Sequence, residues 1–250
     1  IRRMQTVGQS KKRLEFGSSG RFGVGLNVMY RYCDCPQLLA NNNLHFFDLT
    51  RSYVAKTGMK RGRQFTVNRM KENFPDSYAP FGLPELAAFP TVFRLALRTE
   101  RTDLGFLMDL DSVRSELLTA SAIAEKMMLF AKNIRRLEFH DETELMASHE
   151  AVLSDPEKHD EFYRGLPKTI PELQLGPMKA FLDTKTITME TPRGTTSCQW
   201  AIAHRVGVTD EAMLQCMQQQ FEKPHGVALL PYGAAAVKLK AGEDEELRKG

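Results

Sequence analysis

Three glycines in the stretch Gly20-Arg21-Phe22-Gly23-Val24-Gly25-Leu26-Asn27 constrain this chain more than any other feature. Glycine reaches positive φ at little cost and lets backbone approach a partner closely, so a G-x-x-G-x-G spacing prescribes a tight, irregular turn. The residues that follow, 26–32, are helix-competent, with Leu26, Met29 and Tyr30 on one apolar face. A turn feeding a helix presents unpaired N–H groups and the positive end of the helix dipole, which suits an anion such as phosphate. A purely structural turn satisfies the same spacing.

The spacing excludes the common nucleotide loops. It is not G-x-G-x-x-G, so neither a Rossmann turn nor a kinase loop is supported. A Walker A loop needs Lys and Ser or Thr after its last glycine, where this chain has Leu26. Gly17-Ser18-Ser19-Gly20 lacks the G-x-S-x-G of a nucleophile elbow. Residues 1–19 are polar, with Met4, Val7, Leu14 and Phe16 among the few larger apolar residues, and read as a loop or a short helix and loop. That segment is either a solvated connection or a lid bringing Ser10 and Lys11 near phosphates.

Composition narrows the class. A net charge of +3 is too small to argue for nucleic acid or an anionic membrane, so neither is an expected partner. No apolar run approaches the roughly 20 residues that span a bilayer. Four cysteines in 250 residues do not make a disulfide framework, and the chain reads as cytoplasmic. The histidines show no metal spacing: His149-Glu150 lacks the second histidine of H-E-x-x-H, and Cys33-x-Cys35 lacks a second cysteine pair. Lys11-Lys12-Arg13 and Lys60-Arg61-Gly62-Arg63 read as solvated loops, with phosphate or acidic-partner contact as the other reading. Trp200 reads as core.

Along the chain, Pro36 ends the first helix. Residues 44–49 form an aromatic-rich strand, and 50–82, broken by glycine and proline, a long loop with little regular structure. Residues 89–98 alternate as a half-buried strand, with Val92 and Arg94 on one face and Thr91, Phe93, Leu95 and Leu97 on the other. The chain turns helical over 108–133, as one helix or two, capped by Asp111 or Ser112, and a strand follows over 134–141. Residues 141–180 are polar and proline-broken and carry no assigned element. A hairpin turns at Pro192-Arg193-Gly194 between strands 186–191 and 198–206. Thr209 caps a helix reaching Phe221, short strands follow at 226–230 and 234–239, and Glu243-Asp244-Glu245-Glu246 lies in a charged tail. Irregular alternation with hairpins predicts an α+β fold, not a doubly wound sheet.

The glycine stretch resembles the second glycine motif of the Hsp90-type ATPases, the superfamily of Hsp90, gyrase B, MutL and the histidine kinases. Its continuation is similar to the repeated Hsp90-like modules of sacsin-related proteins. Val28-Met29-Tyr30, Asp34-Cys35-Pro36, Phe46-Phe47-Asp48, Phe89-Pro90-Thr91-Val92-Phe93-Arg94-Leu95 and Leu230-Pro231-Tyr232-Gly233-Ala234-Ala235-Ala236-Val237 carry that similarity, patchily over residues 1–240. The resemblance implies a partial ATP-binding α/β sandwich: the C-terminal half of the module over 1–105, a following α+β segment over 106–240, and a charged tail or linker over 241–250. It implies ATP with Mg²⁺ as cofactor in the complete module. Gly20, Gly23 and Gly25, with the amides of Arg21, Phe22 and Val24, would cradle phosphates. Ser10 and Lys11 would belong to the lid, and Thr91 would bind adenine from a floor strand. The family's general-base carboxylate and Mg²⁺-holding asparagine lie upstream of the lid, so a chain starting at Ile1 is expected to carry a truncated pocket without them. The implied function is that of a chaperone-associated ATP-binding protein with client or co-chaperone partners. The alternative is a non-catalytic interaction scaffold whose glycine turn is structural.

Overall fold

The computed structural model describes residues 25–54, 61–142, 144–169, 172–222 and 231–240. The fold is α+β, with two antiparallel sheets and helices. The described residues divide into two compact units between Leu110 and Asp111.

The first unit opens with a 3-10 helix, Gly25–Arg31. Strands β1 (Gln37–Ala40), β2 (Asn43–Phe46), β3 (Arg63–Thr66) and β4 (Thr91–Arg94) form a sheet in the order β3-β2-β1-β4. Asn41 and Asn42 link β1 to β2 at φ 49° and 57°, a left-handed pair whose twist matches an antiparallel hairpin. The register places Leu39, Leu44, Phe65 and Val92 on one face and Leu38, His45, Gln64 and Phe93 on the other. The first face carries the core: Leu44, Phe46, Met70 and Phe81 are buried together, with Leu39, Phe65, Tyr78 and Val92 against them.

Helix α1 (Val67–Asn73) supplies Val67 and Met70 to the buried side, and the Thr66 hydroxyl caps it by accepting the Arg69 amide at 3.4 Å. Helix α2 (Pro75–Tyr78) starts on proline at its first position. The reading of 50–82 as largely structureless is therefore wrong. Its helix signal is only seven residues long, and the cap and the Val67/Met70 spacing are diluted by polar neighbours. The strand expected over 89–98 shortens to Thr91–Arg94, because β1 offers just Gln37–Ala40 as ladder partners. The expected alternation holds, with Val92 and Arg94 half-buried and Thr91 and Phe93 exposed.

All but the first residue of α3 (Leu110–Phe130), a single helix, belongs to the second unit. Strands β5 (Arg136–Asp141), β6 (Glu144–Leu153), β7 (Lys179–Thr191), β8 (Gly194–Val206) and β9 (Tyr232–Lys240) form a meander in sequence order. The β7–β8 hairpin pairs from Lys179↔Val206 to Thr191↔Gly194, around the expected turn. Met128 and Leu129 of α3 pack on Ala151, Ile187 and Ile202. Trp200 packs beside them, as expected of a core residue, and donates its indole N–H to Glu125 at 2.9 Å.

Residues 141–180, left without an element from sequence, hold β6 and α4 (Pro156–Arg164). The inward positions of β6 include Ala147 and His149, too small or too polar to read as a hydrophobic strand. Proline at 156 starts α4 instead of breaking it, because Asp155 caps the helix by accepting the Lys158 amide at 3.0 Å. Helix α5 (Glu211–Glu222) is capped by Asp210, which accepts the Met213 amide at 2.7 Å, one residue beyond Thr209. The strand expected over 226–230 lies outside the described residues.

The core of this unit is unusually polar between α4 and the sheet. His159 Nδ1 lies 2.8 Å from Asp183, and His204 Nδ1 lies 2.6 Å from the Tyr232 hydroxyl. Phe162, Tyr163 and Phe181 surround the two imidazoles, whose buried Nε2 atoms have no hydrogen-bond partner. Burial holds His204 below the ordinary histidine range, with Lys185 and His159 adding to the effect and Asp183 opposing it. Burial likewise lowers His149, whose Nε2 lies 3.2 Å from Ser121 Oγ. For a base with a depressed folded pKa, the unfolded chain binds protons first as pH falls. Stability from these histidines is thus fully present above the unfolded value of about 6.5 and is lost on acidification below it. Urea unfolding between about pH 8 and pH 5 is expected to show a plateau, then a decline that shallows in His204→Phe. Equal stability at both ends of that range would contradict the reading.

Candidate functional site

The glycine-led helix is clamped at its C-terminal end. Arg98, just beyond β4, donates from Nη2 to the Tyr30 carbonyl, from Nη1 to the carbonyls of Arg31 (2.8 Å) and Phe106 (3.3 Å), and from Nε to Asp34. Both charged side chains of the Arg98–Asp34 pair are buried, at 2% and 4% exposure. Asp34 also accepts from the hydroxyls of Thr102 (3.0 Å) and Tyr53 (3.1 Å), so its lone pairs are used from three directions.

A second buried carboxylate holds Tyr53 in place. Asp48 is fully buried and accepts the backbone amides of Ser52, Tyr53 and Val54 at 3.1, 2.9 and 2.7 Å. The loop therefore curls around Asp48, with Arg51 in a left-handed conformation at φ 63°. Between this loop and Arg98 lies a cavity of about 300 Å³ bordered by Asp34, Gln37, Tyr53, Arg98 and Thr102. Burial pushes the Cys33 thiol up to about 11 and the Cys35 thiol up to about 12, the latter with help from Asp48. Both remain neutral thiols, unsuited to nucleophilic chemistry. Among the described residues no group of three His, Cys, Asp or Glu side chains is placed to hold a metal.

The expected binding residues divide sharply. Ser10, Lys11, Gly20, Arg21, Phe22, Gly23 and Val24 lie outside the described residues. Gly25 opens the 3-10 helix, and Thr91 stands exposed at the start of β4, paired with Ala40. Thr91 shares its sheet face with Phe93, Leu38 and His45, the face opposite the Leu44 core. His45 is buried there with its Nδ1 unpartnered, and burial holds it below the ordinary histidine range. Asp34, Asp48, Tyr53 and Arg98 are the organising residues that sequence reasoning did not assign roles. Asp34-Cys35-Pro36 and Phe46-Phe47-Asp48 were visible as motifs, but nothing local to them says that Arg98 closes the structure.

This arrangement is a helix-and-sheet module in which a buried ion pair fixes the helix that Gly25 opens. The family model of the Sacsin domain matches residues 1–154, and the chain belongs to that family. It is 28% identical over 113 residues to Sacsin of Homo sapiens, a match covering 38% of this chain and 2% of that protein. The chain thus spans a small fraction of the length of this curated relative.

Proposed function

We propose that this chain is part of a sacsin-like, chaperone-associated nucleotide-binding protein, in which the glycine turn contributes to phosphate binding and Thr91 to the base. The observation that carries this reading is the exposed Thr91 on the sheet face opposite the Leu44 core, in the same unit as a helix led by Gly25. The resemblance of residues 20–27 to the Hsp90-type glycine motif supports it. So does the orphaned Nδ1 of His45 on the Thr91 face, a polar atom that a bound base or its water would satisfy. These residues suit contacts to base and phosphate. No described set of side chains fits Mg²⁺, and the reading routes no step through the ion.

The chemistry assigned to the chain is binding: backbone amides of the turn take phosphate oxygens and a hydroxyl orients the base. Titration of ¹⁵N-labelled chain with ATP and Mg²⁺ is expected to show weak, millimolar binding, about −4 kcal/mol. Shifts should be confined to the amides of 20–27, Thr91 and their neighbours. Absence of any shift at those amides in a millimolar titration would instead favour the scaffold reading. That second reading draws on the outer face of the five-stranded sheet, where Val152, Leu182 and Val237 are 56%, 70% and 63% exposed.

A further inference from the structure

We infer that the open edge of β3, with the basic side chains around α1, is a docking site for an extended acidic peptide bearing one apolar anchor residue. The sheet order β3-β2-β1-β4 leaves β3 hydrogen-bonded to β2 alone among the described strands. An edge strand offers a row of main-chain donors and acceptors to an incoming strand. What distinguishes this edge is its charge. Arg61, Arg63, Arg69 and Lys71 are all exposed, and none lies in a salt bridge among the described residues. Over 61–78 the only carboxylates are Glu72 and Asp76.

Two of these cations are held in position. The Arg69 guanidinium sits 5.6 Å from the Phe65 ring centroid, and the Lys71 ammonium 5.2 Å from that of Tyr78. Phe65 packs in turn against Phe74 at 6.1 Å. A guanidinium stacked on a ring keeps its N–H edge free for a carboxylate, and the ring reduces the conformational entropy lost on pairing. Beyond the C-terminal end of β3 lies a groove of about 600 Å³ bordered by Val67, Lys71, Tyr78, Phe81 and Leu86. Phe89, also on this groove, is 57% exposed. An apolar side chain of the peptide seats there, while Lys71 serves both the groove and the acidic residues beside it.

Like-charge repulsion across two basic edges disfavours a second copy of this strand as the occupant, so charge selects an acidic partner. Docking on β3 and α1 does not draw on Thr91 or the glycine turn, and stands apart from the nucleotide reading.

The test uses a fluorescein-labelled peptide of alternating glutamate and valine ending in phenylalanine, titrated into the whole chain and followed by anisotropy. A lysine-for-glutamate peptide and a single-stranded oligonucleotide of equal charge are the comparisons. The acidic peptide is expected to bind in the micromolar range, weaken with salt, and slow hydrogen exchange at the β3 amides. The exposed double charge reversal Arg63→Glu with Arg69→Glu is expected to weaken it by at least about tenfold, with an unchanged circular dichroism spectrum. Undiminished binding to the folded double variant would overturn the inference. Tighter binding of the oligonucleotide, or peptide binding in the wild type without protection of β3, would also overturn it. The wild-type exchange result decides the matter even if the variant fails to fold.

Discussion

Arg98→Met is expected to lower the unfolding free energy of the 25–110 unit by about 3–5 kcal/mol, the cost of leaving a buried charge without its partner. Asp34 would keep the hydroxyls of Thr102 and Tyr53 but lose the guanidinium, while the carbonyls of Tyr30, Arg31 and Phe106 would lose their donor. Net stabilisation by a buried pair relative to an apolar replacement is small, but removal of one member is costly. Arg98→Met combined with Asp34→Leu should therefore cost less than the sum of the single changes, since neither charge is then stranded. Gly105 supplies an independent check. A Cβ there would stand 2.9 Å from Arg98 Nη1, and the hydrogen bonds that pin the guanidinium keep it from moving aside. Gly105→Ala is accordingly expected to cost about 1–3 kcal/mol, the usual range for overpacking. Denaturant titrations of the four variants measure these values, and a loss below about 1 kcal/mol in Arg98→Met would refute the clamp.

Lys185→Met is expected to destabilise the second unit by about 2–4 kcal/mol and to fray the last turn of α3. Lys185 is 1% exposed, and its ammonium donates to the carbonyls of Met128, Leu129 and Ala131 at 3.3, 2.7 and 3.3 Å. The last carbonyls of a helix have no internal donors and carry the negative end of its dipole, so a buried cation there satisfies both needs. Burial holds the lysine below its ordinary range, with Arg135 adding to the effect and Asp183 opposing it. Methionine removes that desolvation cost but leaves carbonyls buried and unpaired, and the second effect is the larger because more than one carbonyl is stranded. Hydrogen exchange should accelerate at the amides of 127–130. Increased stability in Lys185→Met would mean that desolvation of the lysine outweighs its capping role. Lys185→Arg is also expected to be harmful, because a wholly buried position has no room for the wider guanidinium.

These two residues show how much of the molecule was legible in the chain. Lys185 shares the inward side of the hairpin with Ile187 and, across the ladder, Trp200, but the strand read from sequence starts one residue later, at 186, and assigns the lysine no place. Only the packing of α3 over β7 turns it inward. Arg98 ends the alternating run 89–98 and reads as a strand-end charge; three of its four partners, Asp34, Arg31 and Tyr30, lie 64 to 68 residues earlier. The β7–β8 hairpin, α3 and α5 were visible because their signals are local: a turn at Pro192-Arg193, a long apolar periodicity, an Asp210 cap beside the Thr209 expected to act. Helices α1 and α4 were missed because short polar helices bury only one or two side chains each.

The amino-acid sequence alone determined the α+β class, the sacsin-like resemblance read from residues 20–27 and Asp34-Cys35-Pro36, and the faces of β4, because each rests on residue types and spacings a few positions apart. The tertiary structure alone decided that Asp34, Asp48, Lys185 and His204 are interior groups. Burial of a polar side chain is tolerated only where distant segments bring it hydrogen-bond partners, and no local pattern records which segments will meet.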